Sequence, residues 1–154
     1  IPTMIDLDAT PLQIDRMEAY SSGWHDPKPL ATLKWQLFKR TLDAAMRVHT
    51  RLGPGLLESA YSACLAYELR KRGCAVATEL GLPVVYDEVR LDVGYRIDLM
   101  VDNEVIVELK AVEAIAPIHE AQLICYLKLS GRRLGLLINF NVVHLKDGIL
   151  RRVN

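Results

Sequence analysis

The stretch RIDLMVDNEVIVELK, residues 96–110, constrains the fold more than any other part of the chain. Apolar and polar residues follow a period of two on both sides of Asp102-Asn103-Glu104, which predicts two antiparallel strands joined by a three-residue loop. In that register Val101 faces Val105, Leu99 faces Val107 and Asp98 faces Glu108. One face then carries Tyr95, Ile97, Leu99, Val105, Val107 and Leu109, and the other carries Arg96, Asp98, Glu108 and Lys110. A two-residue loop would send the two acids to opposite faces, so the cleaner separation favours three residues.

Directly opposed carboxylates have Cβ atoms about 4.5–5.5 Å apart and repel each other. A hard divalent cation such as Mg²⁺, which favours carboxylate oxygens, offsets that repulsion. Lys110, on the same face, would stand beside such an ion and could activate a water or stabilise developing negative charge. The plainer alternative is a solvated ion-pair network in which Arg96 and Lys110 neutralise the acids. The pattern alone leaves both open.

The rest of the chain supplies a frame for this hairpin. Residues 1–30 hold four prolines and five acids against two bases, and read as a loosely ordered arm with a short helix around Pro11–Tyr20. A compact domain is expected over residues 31–154. Leu37, Phe38, Leu42, Ala45, Met46 and His49 recur at helical spacing over residues 33–52, until Gly53-Pro54-Gly55 breaks the pattern. Leu57, Ala60, Tyr61, Cys64, Leu65 and Leu69 predict a second helix ended by Gly73. Strands follow at 74–79, 83–86, 90–101 and 105–112, then a helix over 118–129 closed by Gly131. LGLLINF, residues 134–140, is the continuous apolar run of a strand covered on both faces, and residues 142–154 form a terminal edge strand or hairpin. The fold class is therefore α/β of the α+β type, a mixed central sheet flanked by helices.

Charge and cysteine usage narrow the function. Net charge is zero, which argues against indiscriminate polyanion binding. No run of 18 apolar residues occurs and the N-terminus lacks a basic segment followed by an apolar one, so neither a membrane span nor a secretory signal is expected. The first residue is Ile1, which leaves open whether Met4 is the true start. Cys64, Cys74 and Cys125 are odd in number and widely spaced, as expected of buried free thiols in a reducing cytoplasm. Neither G-x-S-x-G nor a phosphate-binding glycine loop is present.

The arrangement Asp98…Glu108-Leu109-Lys110 on a hairpin resembles the signature of the PD-(D/E)XK nuclease superfamily. Gly55, Glu58 and Tyr61 in GLLESAY fit G-x-x-E-x-x-Y, the pattern that names the GxxExxY proteins. Gln122 and Tyr126 in QLICY resemble the Q-x-x-x-Y motif of the RecB-like branch, and His119 shares their helical face. The likeness runs from about Thr41 to Asn154, with Ile97 where the superfamily usually has proline. It implies a restriction-endonuclease-like core that hydrolyses phosphodiester bonds of nucleic acid, DNA ahead of RNA. It also implies that Asp98, Glu108, Glu58 and the Leu109 carbonyl ligate Mg²⁺ or Mn²⁺, while Lys110 orients or deprotonates the attacking water. Gln122 and Tyr126 would position the substrate phosphate or the lysine. A homodimer would suit a nuclease this small. The competing expectation is a nuclease-fold interaction module without activity, which zero net charge also suits.

Overall fold

The computed structural model describes residues 3–4, 28–92 and 94–154, with side chains from Leu33 onward. In chain order the elements are β1 (Thr3–Met4), α1 (Lys28–Leu52), α2 (Glu58–Lys71), β2 (Val76–Gly81), β3 (Val84–Tyr86), β4 (Val89–Leu91), β5 (Arg96–Val101), β6 (Val105–Lys110), α3 (Pro117–Ser130), β7 (Leu134–Asn139), a 3₁₀ turn (Leu145–Gly148) and β8 (Ile149–Val153). The arm expected over residues 1–30 lies mostly outside the described residues, as does its short helix. Its described parts are the two-residue edge strand β1 and the start of α1, which reaches back to Lys28.

One mixed sheet of order β1-β8-β7-β6-β5-β2 organises the domain. Among the described strands of this sheet only β6 and β7 run parallel, with α3 as their crossover; every other neighbouring pair is antiparallel. The β5–β6 register is Leu99↔Val107, Met100↔Ile106 and Val101↔Val105, as the alternation predicts. Asp102 and Asn103 take φ values of 49° and 56°, a region these two residue types tolerate better than most. The Ala75 N–H donates to Asp102 Oδ1 at 2.7 Å, and Arg132 Nη2 donates to Asn103 Oδ1 at 2.8 Å, so the loop is tied from both sides.

Each face of the sheet buries a separate apolar cluster. On one side, Leu37, Phe38, Leu42, Ala44, Ala45 and Val48 of α1 join Tyr61, Leu65, Ala66 and Leu69 of α2 over Leu99, Val101, Val105, Val107 and Leu109. On the other side Leu123, Tyr126 and Leu127 of α3 cover Met100, Ile106 and Leu137. A fully buried leucine of this kind contributes about 1.5–3 kcal/mol through the apolar surface it removes from water. Every residue of β7 is buried, as its unbroken apolar run requires. α2 ends as its glycine predicts: Gly73, at φ 87°, donates to Arg70 O while Cys74 donates to Leu69 O.

Several expectations change. The strand expected over residues 90–101 divides, because β4 folds back on β3 around Asp87-Glu88 as a separate two-stranded sheet, and Gly94 interrupts the alternation before β5. Leu57 precedes α2 and is 78% exposed instead of joining its stripe. The charged hairpin face is not a solvated one: α3 lies over Met100 and Ile106 beside the acids, and Glu108 is only 4% exposed. Ile97 belongs to that same cluster with Leu82, although alternation alone groups it with Leu99. Among the thiols Cys74 is buried, Cys64 partly so, and Cys125 is exposed.

Candidate active site

Backbone pairing between β5 and β6 gives way to side-chain pairing one residue beyond Leu99↔Val107. There the Asp98 N–H donates to Glu108 Oε1 at 3.1 Å, and the Leu109 N–H donates to Asp98 Oδ2 at 2.9 Å. Each carboxylate thus takes the place of a strand carbonyl and is anchored by the opposite strand. The two carboxyl groups also share a side-chain hydrogen bond, which requires a proton on one of them. N–H and C=O of one strand residue face the same neighbour, so the Leu109 carbonyl lies on the β5 side. Lys110, one residue on, turns its carbonyl the other way to accept the Phe140 N–H at 2.9 Å.

The electrostatics follow from burial at this junction. Burial, then the Asp98 charge and the hydrogen bond to the Asp98 side chain, push the Glu108 carboxyl up to about 8; the Asp98 N–H and the Lys110 ammonium pull it back only in part. Burial also raises the Glu58 carboxyl, with Lys110 opposing and Asp98 and Glu79 adding to the rise. The Tyr126 phenol is held above its usual value by burial, against the Gln122 hydrogen bond and with help from the Glu108, Asp98 and Tyr95 charges. Glu58 at the first turn of α2, the hairpin acids, Lys110 and Tyr126 on α3 therefore share one electrostatic neighbourhood.

No ion pair among the described residues involves Asp98, Glu108, Lys110 or Arg96. Arg96 instead points Nη1 at the Glu79 carbonyl, 3.4 Å away. The neutralised network that sequence left open is therefore absent there. Two adjacent carboxyl groups that share a proton and have no ion pair among the described residues make a hard-oxygen donor set that suits a divalent metal ion in the proton's place. No group of three or more His, Cys, Asp or Glu among the described residues is assembled to hold an ion, so Glu58 stands outside the compact Asp98–Glu108 pair.

On α3, Gln122 Nε2 donates to Tyr126 Oη at 2.9 Å, which leaves the phenol proton to point elsewhere. His119 turns back on its own helix start, where Nδ1 accepts the Ala116 N–H at 3.0 Å. Two residues near the site were not singled out from sequence. Glu79 lies between the pairs Thr78↔Leu99 and Leu80↔Ile97, hence across from Asp98, at a φ of 51°. Buried Asn139, paired with Lys110 across the β6–β7 ladder, bonds the Val112 main chain in both directions at 3.1 and 2.9 Å. The signal for Asn139 was a lone amide inside an apolar run; Glu79 carried none beyond strand alternation.

A sequence model of the PD-(D/E)XK nuclease superfamily matches residues 35–153. Searches of curated proteins and of solved structures give no match. The mixed sheet flanked by helices is consistent with the restriction-endonuclease-like fold of that superfamily.

Proposed function

This chain belongs to the PD-(D/E)XK nuclease superfamily, and we propose on that premise that it is a divalent-metal-dependent nuclease acting on DNA. Within the superfamily we align it with the GxxExxY proteins through Gly55, Glu58 and Tyr61. Asp98, Glu108 and the Leu109 carbonyl would hold Mg²⁺ or Mn²⁺, with Glu58 reached from α2. When bound, the ion supplies Lewis-acid stabilisation of the charge that grows on a phosphodiester during hydrolysis.

The protein's own groups do the rest. Lys110 stands in the field of Glu58 and Glu108 but forms no ion pair among the described residues, so its ammonium is available to direct a water at phosphorus or exchange a proton with it. Tyr126 stays protonated at neutral pH, and its oxygen accepts from Gln122, so its O–H is a donor for a phosphate oxygen. The observation that carries this reading is the reciprocal anchoring of Asp98 and Glu108, which holds two carboxyl groups side by side around one retained proton that a divalent ion could displace. Reduced thiols fit a cytoplasmic enzyme, and two copies would reach both strands of a duplex.

The test is incubation of purified protein with single-stranded, duplex and branched DNA, and with RNA, in Mg²⁺ or Mn²⁺. Cation-dependent cleavage of DNA is expected, lost in Glu108→Ala and in Lys110→Ala. Cleavage unchanged by both substitutions would sink the assignment. A protein that binds neither ion at millimolar concentration in calorimetry is the inactive interaction module instead.

A further inference from the structure

Tyr61 is fully buried, yet its hydroxyl makes two main-chain bonds. It donates to Gly53 O at 2.6 Å and accepts the Leu56 N–H at 3.1 Å. Both partners lie in the turn that delivers Glu58, the first residue of α2. The turn is otherwise held at its ends, where the Gly53 N–H donates to His49 O at 2.7 Å and the Ala60 N–H to Leu57 O at 3.0 Å, while Leu57 makes no side-chain cap. The Tyr61 ring stacks on Phe140, with centroids 4.6 Å apart and planes 11° from parallel. The Phe140 N–H in turn donates to Lys110 O at 2.9 Å. Three successive contacts therefore run from the Glu58 turn to the backbone of Lys110, through side chains that never reach the site.

We propose that Tyr61 and Phe140 are positioning residues: the ring stack and the bonds at its two ends hold Glu58 in register with Lys110. A turn free to move would let the Glu58 carboxylate drift from the hairpin acids while the sheet stayed intact. The inference rests on the functional reading above for what Glu58 and Lys110 do, and on geometry alone for the brace itself. It also gives the G-x-x-E-x-x-Y pattern a physical meaning, in which the tyrosine grips the turn from one helical turn beyond the glutamate it orients.

The test uses Tyr61→Phe, which keeps the ring and its stack and removes only the hydroxyl. In the metal-free protein the Leu56 amide should exchange with solvent about tenfold faster, the order expected for its one lost hydrogen bond, while the thermal midpoint falls by only a few degrees for the two bonds removed. Calorimetry with Mn²⁺ then compares wild type, Tyr61→Phe, Glu58→Gln and the double variant. Tyr61→Phe should weaken Mn²⁺ binding several-fold when Glu58 is present and not at all in the Glu58→Gln background, because the tyrosine acts through the glutamate. Unchanged Leu56 exchange, or equal weakening in both backgrounds, overturns the proposal. A wild-type protein that binds no Mn²⁺ refutes the nuclease reading but leaves the brace to the exchange arm. There Phe140→Leu must also speed Leu56 exchange, and continued protection rejects it.

Discussion

Glu108→Gln should make the metal-free protein more stable at alkaline pH while abolishing the proposed metal-dependent cleavage. The side chain is buried, and its carboxyl is raised from 4.5 to about 8, first by burial and then by the Asp98 charge. The folded state thus holds this proton to higher pH than the unfolded chain does. Stability from the group is complete below the unfolded value and is lost as pH rises through 8. With about 1.36 kcal/mol for each tenfold difference in proton affinity between folded and unfolded chain, the loss between pH 5 and pH 9 is on the order of 4 kcal/mol, shared with Asp98 as a coupled pair. Glutamine keeps an oxygen to accept the Asp98 N–H and carries no charge, so the variant escapes the loss. Urea unfolding in the presence of a chelator at pH 5, 7 and 9 measures it. The two proteins should coincide at pH 5 and diverge by several kcal/mol at pH 9. Mn²⁺ at about a hundred times its dissociation constant should return about 2.7 kcal/mol to the wild type and far less to the variant. Parallel stability curves for the two proteins across this range would refute the reasoning.

Other substitutions probe the frame and the helix side of the site. A Cβ added at Gly148 would lie 2.2 Å from the Asn139 carbonyl oxygen, so Gly148→Ala should cost on the order of 3 kcal/mol in chemical denaturation and disturb the Asn139 clamp beside Lys110. At Gly135 the obstruction is the end of a side chain, Leu123 Cδ1 at 2.8 Å, so Gly135→Ala should cost less, about 1 kcal/mol, by shifting α3 on the sheet. Tyr126→Phe keeps the buried ring and removes the phenol, and should lower the cleavage rate about tenfold with little change in thermal midpoint. An unchanged rate there would remove Tyr126 from the mechanism.

The hairpin was legible because period-two alternation and a three-residue loop leave one register that buries Leu99, Val107 and Leu109 together. The all-buried β7 and the glycine end of α2 were legible for equally local reasons. Alternation could not reveal which face α3 would cover, so the acids were expected on an open surface and Glu108 lies buried. It also ran β4 into β5, because the short break between Leu91 and Arg96 is marked in sequence by one glycine, Gly94, at a φ of 83°. Long-range partners were invisible in the same way. Nothing near Tyr61 in sequence announces Phe140, and nothing near Asp98 announces Glu79.

The place of β7 in the chain has a consequence for how the protein is made. The hairpin that carries Asp98, Glu108 and Lys110 is finished by residue 110, yet the strand it lies against begins at Leu134 and the ring behind Tyr61 is Phe140. A growing polypeptide therefore owns the acids and the lysine well before it owns the wall that sets them, since parallel pairing waits for its distant partner. A nascent chain that stops ahead of β7 carries every one of those side chains and the hairpin bonds between the acids, but neither the parallel partner nor the brace. Translation must pass Phe140 before the acids, the lysine and the brace can stand in one place.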